Sequence, residues 1–372
     1  MDMAVNRADE LKKPGSSCKR RTYFLSGFDP RGVAHYQRLF ARLLKQRGWR
    51  LGSRQEGERI TRWPLLDPEV DQHYELAFLH WDDIARANWP KHPWPLLTQL
   101  LGFARAYLLQ GGFMDTARLC PGVALCGLYP VMVLILVTLA AIAAGVLAAF
   151  LWLPLAPLVV AVVLWQGWRL ADRLGVVWLC RSILFNHRLG SLRDTMLRQR
   201  VQELVGALLA LEDNNPADEI LLVGHSSGSF VLAMVAAELR RHPNSIPIMS
   251  RLRLLSLGQN LANLGLYPGA ERFRDDLQTL AIEPCLPWLD VTSFDDLLCF
   301  AGVNPYQACG LPVPTSEGSD YPRMQLLNLR QANGLQRKRQ WLAQLFDLHF
   351  DYLTNPAAGL DLCGLMTGEN TI

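Results

Sequence analysis

From Gly122 to Trp168 the chain carries no charged side chain. A hydrocarbon core about 30 Å thick takes about 20 helical residues to cross, so this stretch is too long for one crossing and long enough for two. "LWLPLAP" lies near its middle, and Pro154 and Pro157 break helix there. The pattern predicts a two-helix transmembrane hairpin, Leu128 to Phe150 and Leu155 to Trp168 or slightly beyond. The short second half leaves a full span, a tilted hairpin and a re-entrant one open. A hairpin buried in a soluble core is the competing reading, and the lack of any polar face stands against it. Basic residues flank the stretch on both sides, Arg105 and Arg118 before it and Arg169, Arg173 and Arg181 after it, while the turn has none. The positive-inside rule then places both flanks in the cytoplasm and the hairpin in the inner membrane.

Around that insertion, 372 residues suffice for one large α/β domain or two small ones, and 19% charged against 50% hydrophobic residues agrees with apolar surface facing lipid. A net charge of +3, without a stripe of Lys and Arg interleaved with aromatics, argues against nucleic acid as a partner. Residues 1–20 form a polar tail. Lys12, Lys13, Lys19, Arg20 and Arg21 lie in or beside it, reading as a solvated arm or as a lipid-headgroup contact. The tail lacks an apolar h-region, so it is not a cleavable signal peptide. The eight cysteines show neither a C-x-x-C pair nor zinc-like spacing with histidine, and read as reduced thiols or core fillers. His80, beside Trp81-Asp82-Asp83, lacks spaced partners and reads as a strand-end histidine rather than a ligand. No metal and no cofactor is expected.

The remaining sequence divides into residues 21–90, residues 91–190 with the hairpin, and residues 191–372. "RTYFLSGFDPRG" reads as a strand entering a Gly-containing turn, "VAHYQRLFARLLKQRGW" as a helix and "YELAFLHWDD" as a second strand. "PWPLLTQLLGFARAYLLQ", with Trp94, Leu96, Leu97, Leu100, Leu101 and Phe103, is either an interfacial approach helix or an ordinary core-facing one. After the hairpin, "LGSLRDTMLRQRVQELVGALLALED" is an amphipathic helix, and "RLRLLSLGQN" and "PWLDVTSFDD" supply further strands. Strands alternating with helices imply a mainly parallel sheet covered on both faces, with ligands at the carboxyl ends of the strands.

One such end is chemically distinctive. Ile220 to Val223 suit a buried strand, and Phe230, Val231, Met234, Val235 and Leu239 recur at helical spacing. Between them stands Gly224-His225-Ser226-Ser227-Gly228, a G-x-S-x-G pentapeptide. Its glycines allow a sharp reversal, and the central Ser226 is left exposed at the strand end before a helix N-terminus that favours developing negative charge. A plain strand-to-helix turn without chemistry is the bland reading of the same residues.

Strand, pentapeptide and helix together resemble the nucleophile elbow of the α/β-hydrolase superfamily, over residues 21–90 and 190–355. The resemblance implies a lipase- or esterase-type serine hydrolase, with a triad in the order Ser, Asp/Glu, His and an acyl-enzyme intermediate. Ser226 is then the nucleophile, and the Ser227 N–H and Phe28 N–H are the oxyanion donors. Ser26-Gly27 stands where many members carry His-Gly. "WLDVTSFDDLLCF" offers Asp290 inside the strand and Asp295 and Asp296 beyond it; Asp296 is preferred and Asp295 is the alternative acid. His349, the one histidine downstream of the acid, follows a helix built from Gln336 to Leu345 and becomes the base. Asp29 and Arg31 are expected to pair and shape the oxyanion loop. The expected substrate is an acyl ester, and the expected partner is the bilayer; thioesterase, amidase and acyltransferase chemistry fit the same residues. A non-catalytic membrane protein using this domain to bind a lipid or a protein is the reading from another class.

Overall fold

The computed structural model describes residues 18–66, 73–89, 96–100, 112–190, 195–314, 321–332, 341–355, 357, 359–370 and 372. Among these residues nine strands form one mixed sheet: β1 Arg20–Leu25, β2 Arg50–Leu51, β3 Gln55–Glu56, β4 Ile60–Leu66, β5 Tyr74–Leu79, β6 Glu219–His225, β7 Leu252–Leu257, β8 Trp288–Thr292 and β9 Arg323–Leu326. Their order is β2-β4-β5-β1-β6-β7-β8-β9, with β3 on the edge of β4. From β5 to β9 every neighbour is parallel, and only β2, β3 and β4 pair antiparallel. The chain is therefore α/β, and the carboxyl ends of β5, β1, β6, β7, β8 and β9 lie along one edge of the sheet.

Alternate strand residues face opposite sides, and both sides are covered. Tyr23, Leu25, Leu222 and Leu254 pack against Leu204 and Leu208 of α7 (Thr195–Asn214) and Phe230 and Ala233 of α8 (Gly228–Arg241). Phe24, Leu221, Val223 and Leu255 pack against Leu39 and Phe40 of α1 (Val33–Lys45), Tyr352 and Leu353 of α11 (Trp341–Thr354), and Leu365 of α12 (Leu362–Thr367). Between these come α2 (Asp82–Ala87), α3 (Gly112–Leu119), α4 (Pro121–Leu151), α5 (Ala156–Arg173), α6 (Val176–Gly190), α9 (Leu261–Gly265) and α10 (Glu271–Leu280).

The charge-free stretch is a helical hairpin, made of two helices long and apolar enough to cross a membrane. Its bounds differ from those read in the sequence: α4 begins at Pro121 rather than Leu128, and α5 runs on to Arg173. The break falls at Trp152, which is extended. Pro154 and Pro157 sit in first turns, Pro154 of the 3-10 turn Leu153–Leu155 and Pro157 of α5, where a missing N–H costs no bond. The prolines thus start the second arm as well as ending the first. Small residues hold the arms together. A Cβ at Gly145 would lie 2.5 Å from Val160 Cγ2, and one at Gly167 would lie 2.3 Å from Val137 Cγ1. Large apolar side chains point outward instead, with Leu136 60%, Leu147 65% and Phe150 85% exposed.

Several expectations are corrected. Arg20 and Arg21 belong to β1 and not to a solvated arm: Arg21 is fully buried against Glu75 and Glu212, and Arg20 donates to Leu365 O at 2.8 Å and pairs with Glu219. Lys19 N donates to Asp218 at 2.7 Å. Strands β2, β3, β4 and β9 were not foreseen. Residues 96–100 are helical, and Leu96 and Leu100 bury against Ala171 and Val177, which favours the core-facing reading for those residues. Lys12, Lys13, Trp94, Leu101, Phe103 and Arg105 lie outside the described residues.

Candidate active site

Ser226 is the one non-glycine with positive φ among the described residues, at 56°. That conformation costs on the order of 1–3 kcal/mol and persists only where its surroundings impose it. They do so here through close approach. A Cβ on Gly224 would fall 2.6 Å from Gly228 O, and one on Gly228 would fall 2.4 Å from Leu25 O, so β6, α8 and β1 meet only because both positions are glycine. Ser226 N donates to Leu257 O at 2.8 Å, and Ser229 Oγ donates back to Ser226 O at 2.6 Å, which locks the turn.

Three acids were in contention, and the fold separates them. Asp296, past the end of β8, is buried, and its Oδ2 lies 2.7 Å from His349 Nδ1. The same oxygen accepts from Tyr352 OH at 3.2 Å, and Oδ1 accepts from Leu298 N at 3.0 Å. Burial alone would push this carboxyl up, but the charge and hydrogen bond of His349 and the Leu298 N–H hold it below the ordinary range. Asp295 turns away, accepting from Arg330 N at 3.0 Å and pairing with its guanidinium at 3.3 Å. Asp290 stays within β8, where Ser256 Oγ donates to it at 2.5 Å, and burial pushes it up to about 7 despite that bond.

His349 lies inside α11 rather than after a helix ending at Leu345, while residues 336–340 of that expected helix lie outside the described residues. Its Nδ1 faces Asp296, and its buried Nε2 has no hydrogen-bond partner among the described residues. The acid and the base are brought together; the Ser226–His349 hydrogen bond is not made in this conformation. Such bonds commonly tighten only when substrate is bound.

Sequence reasoning missed His225. Its Nε2–H donates to the backbone carbonyl of His349 at 2.8 Å, and the two rings stand 4.9 Å apart. Burial, and then the nearby His349, push it down to about 3, so it is a neutral prop for the helix that carries His349. The partner lies 124 residues downstream, and nothing local in the sequence signals it.

The loop after β1 approaches from the other side. A Cβ on Gly27 would come within 3.0 Å of Ser226 Cβ and 3.4 Å of Ser226 Oγ. Neither the Phe28 N–H nor the Ser227 N–H donates to any described residue. Trp81 Nε1 donates to Ser26 O at 3.0 Å, and the Phe28 ring stacks on Phe185 of α6 at 4.3 Å. Asp29 and Arg31 pair as expected, and Arg31 also lies over the Phe350 ring at 5.1 Å, tying this loop to α11.

Ser226 opens on a cavity of about 70 Å3 shared with Asn260, Asn263, Tyr267, Leu297 and Leu298. Its further wall comes from α4 and α6, the helices at the base of the hairpin. A wider groove of about 540 Å3, lined by Glu58, Arg59 and Glu203, sits by the antiparallel edge and holds none of these groups. Among the described residues no group of three or more His, Cys, Asp or Glu side chains is placed to hold a metal ion. No family model matches the chain, and no curated protein or solved structure matches it.

Proposed function

We propose that the chain is a membrane-anchored serine hydrolase of the α/β-hydrolase type that cleaves an acyl ester. One observation carries this reading: a buried Asp296–His349 pair stands at the same sheet edge as a strained Ser226 and two backbone N–H groups without a partner among the described residues. The chain order Ser, Asp, His and the strand–turn–helix setting of the pentapeptide support it.

In the proposed cycle Ser226 Oγ bonds to the carbonyl carbon as its proton passes to His349 Nε2. The Ser227 and Phe28 N–H groups hold the oxyanion. The ester C–O bond then breaks, and His349 gives the proton to the leaving oxygen. Water attacks the acyl-serine, loses a proton to His349, and the acid departs as Ser226 regains its own. Asp296 keeps the imidazole in the tautomer with Nδ1 protonated.

The two apolar helices and the basic residues Arg118, Arg169, Arg173 and Arg181 support a hairpin in the inner membrane with this domain in the cytoplasm. The unmade Ser226–His349 bond favours a second reading, a non-catalytic domain that binds lipid or protein. Hydrolysis decides between them. Purified wild type should cleave p-nitrophenyl esters, with Ser226→Ala and His349→Ala lowering the rate by orders of magnitude. Equal rates in wild type and Ser226→Ala would leave only the binding reading.

A further inference from the structure

The walls of the cavity at Ser226 include Val123, Cys126 and Gly127 of α4, and Ile183 and Asn186 of α6. One of the two helices long and apolar enough to cross a membrane, α4, therefore also helps enclose the candidate nucleophile. At 31 residues α4 is about 46 Å long, more than the roughly 20 residues that cross a hydrocarbon core. The surplus lies at its start, where Val123 to Gly127 sit, so the cavity stands on the headgroup side of the span. Contacts bind the hairpin base to the site from two directions. A Cβ on Gly122 would lie 2.9 Å from Leu297, the residue after Asp296, and Phe185 of α6 stacks on Phe28.

Val123 of α4 and Ile183 of α6 give the cavity apolar walls, and the outer face of α4 beyond them is apolar and exposed, with Leu125 58% and Met132 53% exposed. The cavity, at about 70 Å3, admits the polar end of a substrate and has no room for a long acyl chain. One polar group in its wall is unpartnered. The Asn186 carboxamide is buried, and its Oδ1 has no hydrogen-bond partner among the described residues. A buried amide without a partner suits a ligand that brings its own hydroxyl or amide hydrogen.

We infer that the substrate is a bilayer-resident lipid ester, taken laterally along α4, whose ester enters between α4 and α6 while its acyl tail stays along the hairpin. This rests on the serine-hydrolase reading and adds the source and class of the substrate. It also gives the hairpin a role in recognition.

Gly127 offers the test, because a Cβ there meets nothing within 4 Å and a larger side chain enters the cavity mouth without a clash at its root. The full chain is reconstituted in phosphatidylcholine vesicles and given a long-chain fluorogenic acyl ester in the same bilayer, or p-nitrophenyl acetate in water. Gly127→Phe should lower the ratio of long-chain to short-chain kcat/KM at least tenfold, while a small fluorophosphonate still labels Ser226. Leu147→Phe, on the exposed hairpin surface, should keep the wild-type ratio. If Gly127→Phe is not labelled, Gly127→Val carries the same comparison. An unchanged ratio in the labelled variant, or a wild type that cleaves the soluble ester and spares the vesicle ester, overturns lateral delivery. A wild type that neither labels nor cleaves either ester overturns the hydrolase reading itself, which separates the two failures.

Discussion

Asp295 and Asp296 are sequence neighbours with opposite fates, and the difference gives a sharp substitution test. Asp295 is held by Arg330 at the surface, whereas Asp296 orients His349. Asp296→Asn should cut kcat by several orders of magnitude through the wrong imidazole tautomer, with Asp295→Asn near wild type; the reverse ranking in steady-state rates would relocate the acid. His225 yields a pH signature. Its folded value, about 3, lies below the ordinary 6.5, so between those limits the unfolded chain binds the extra proton. Stability contributed by the neutral ring is complete above about 6.5 and falls by about 1.4 kcal/mol per pH unit as the solution is acidified toward about 3. In urea unfolding at pH 7 and pH 5, His225→Gln should show a smaller loss between the two pH values than wild type; an equal loss would remove His225 from the account. Asp290 works in the other direction. Raised to about 7, it weakens the fold as pH climbs from about 4 to 7, so Asp290→Asn should gain stability relative to wild type at pH 8 and not at pH 4.

At the scale of elements, legibility followed local pattern. β1, β5, β6 and β7 were readable because each is an apolar run bounded by turn residues, and α1 because its buried Tyr36, Leu39, Phe40 and Leu43 recur at helical spacing. β2 and β3 are two residues each and β9 is Arg-Met-Gln-Leu, so sheet pairing rather than local pattern makes them strands. The strand-to-helix turn at Gly224 to Gly228 was legible because two glycines at fixed spacing allow the chain to reverse there. The His225–His349 contact was not, because it joins elements far apart in the chain. The hairpin was legible as a pair of helices, but its start was not, since Pro121 to Gly127 is apolar for a different reason: it packs on the Asp296 loop and lines the cavity. Close packing within the hairpin predicts a cost. Gly167→Leu forces a side chain into Val137 and should lose about 1–3 kcal/mol, read as a lower thermal midpoint in detergent. An unshifted midpoint would mean the arms are not packed at this position.

For the whole molecule, the proposed topology places both basic flanks, and with them the domain, on the cytoplasmic side of the membrane. With the native cysteines replaced, cysteines at the exposed positions Glu56 and Glu369 should be protected from an impermeant thiol reagent in sealed cells, while one at Leu153 in the turn, 72% exposed, should label. Labelling at Glu56 from outside would reverse the orientation. Everything else depends on whether the strained serine at the end of β6 is activated by the acid–histidine pair beside it. The most direct measurement is the rate at which a fluorophosphonate probe modifies the wild-type protein in native membranes, with the modified residue mapped by mass spectrometry. Rapid, single-site modification at Ser226, lost in Ser226→Ala and slowed at least a hundredfold in His349→Ala, is the result expected. Modification no faster than that of free serine, or unchanged in His349→Ala, would contradict it.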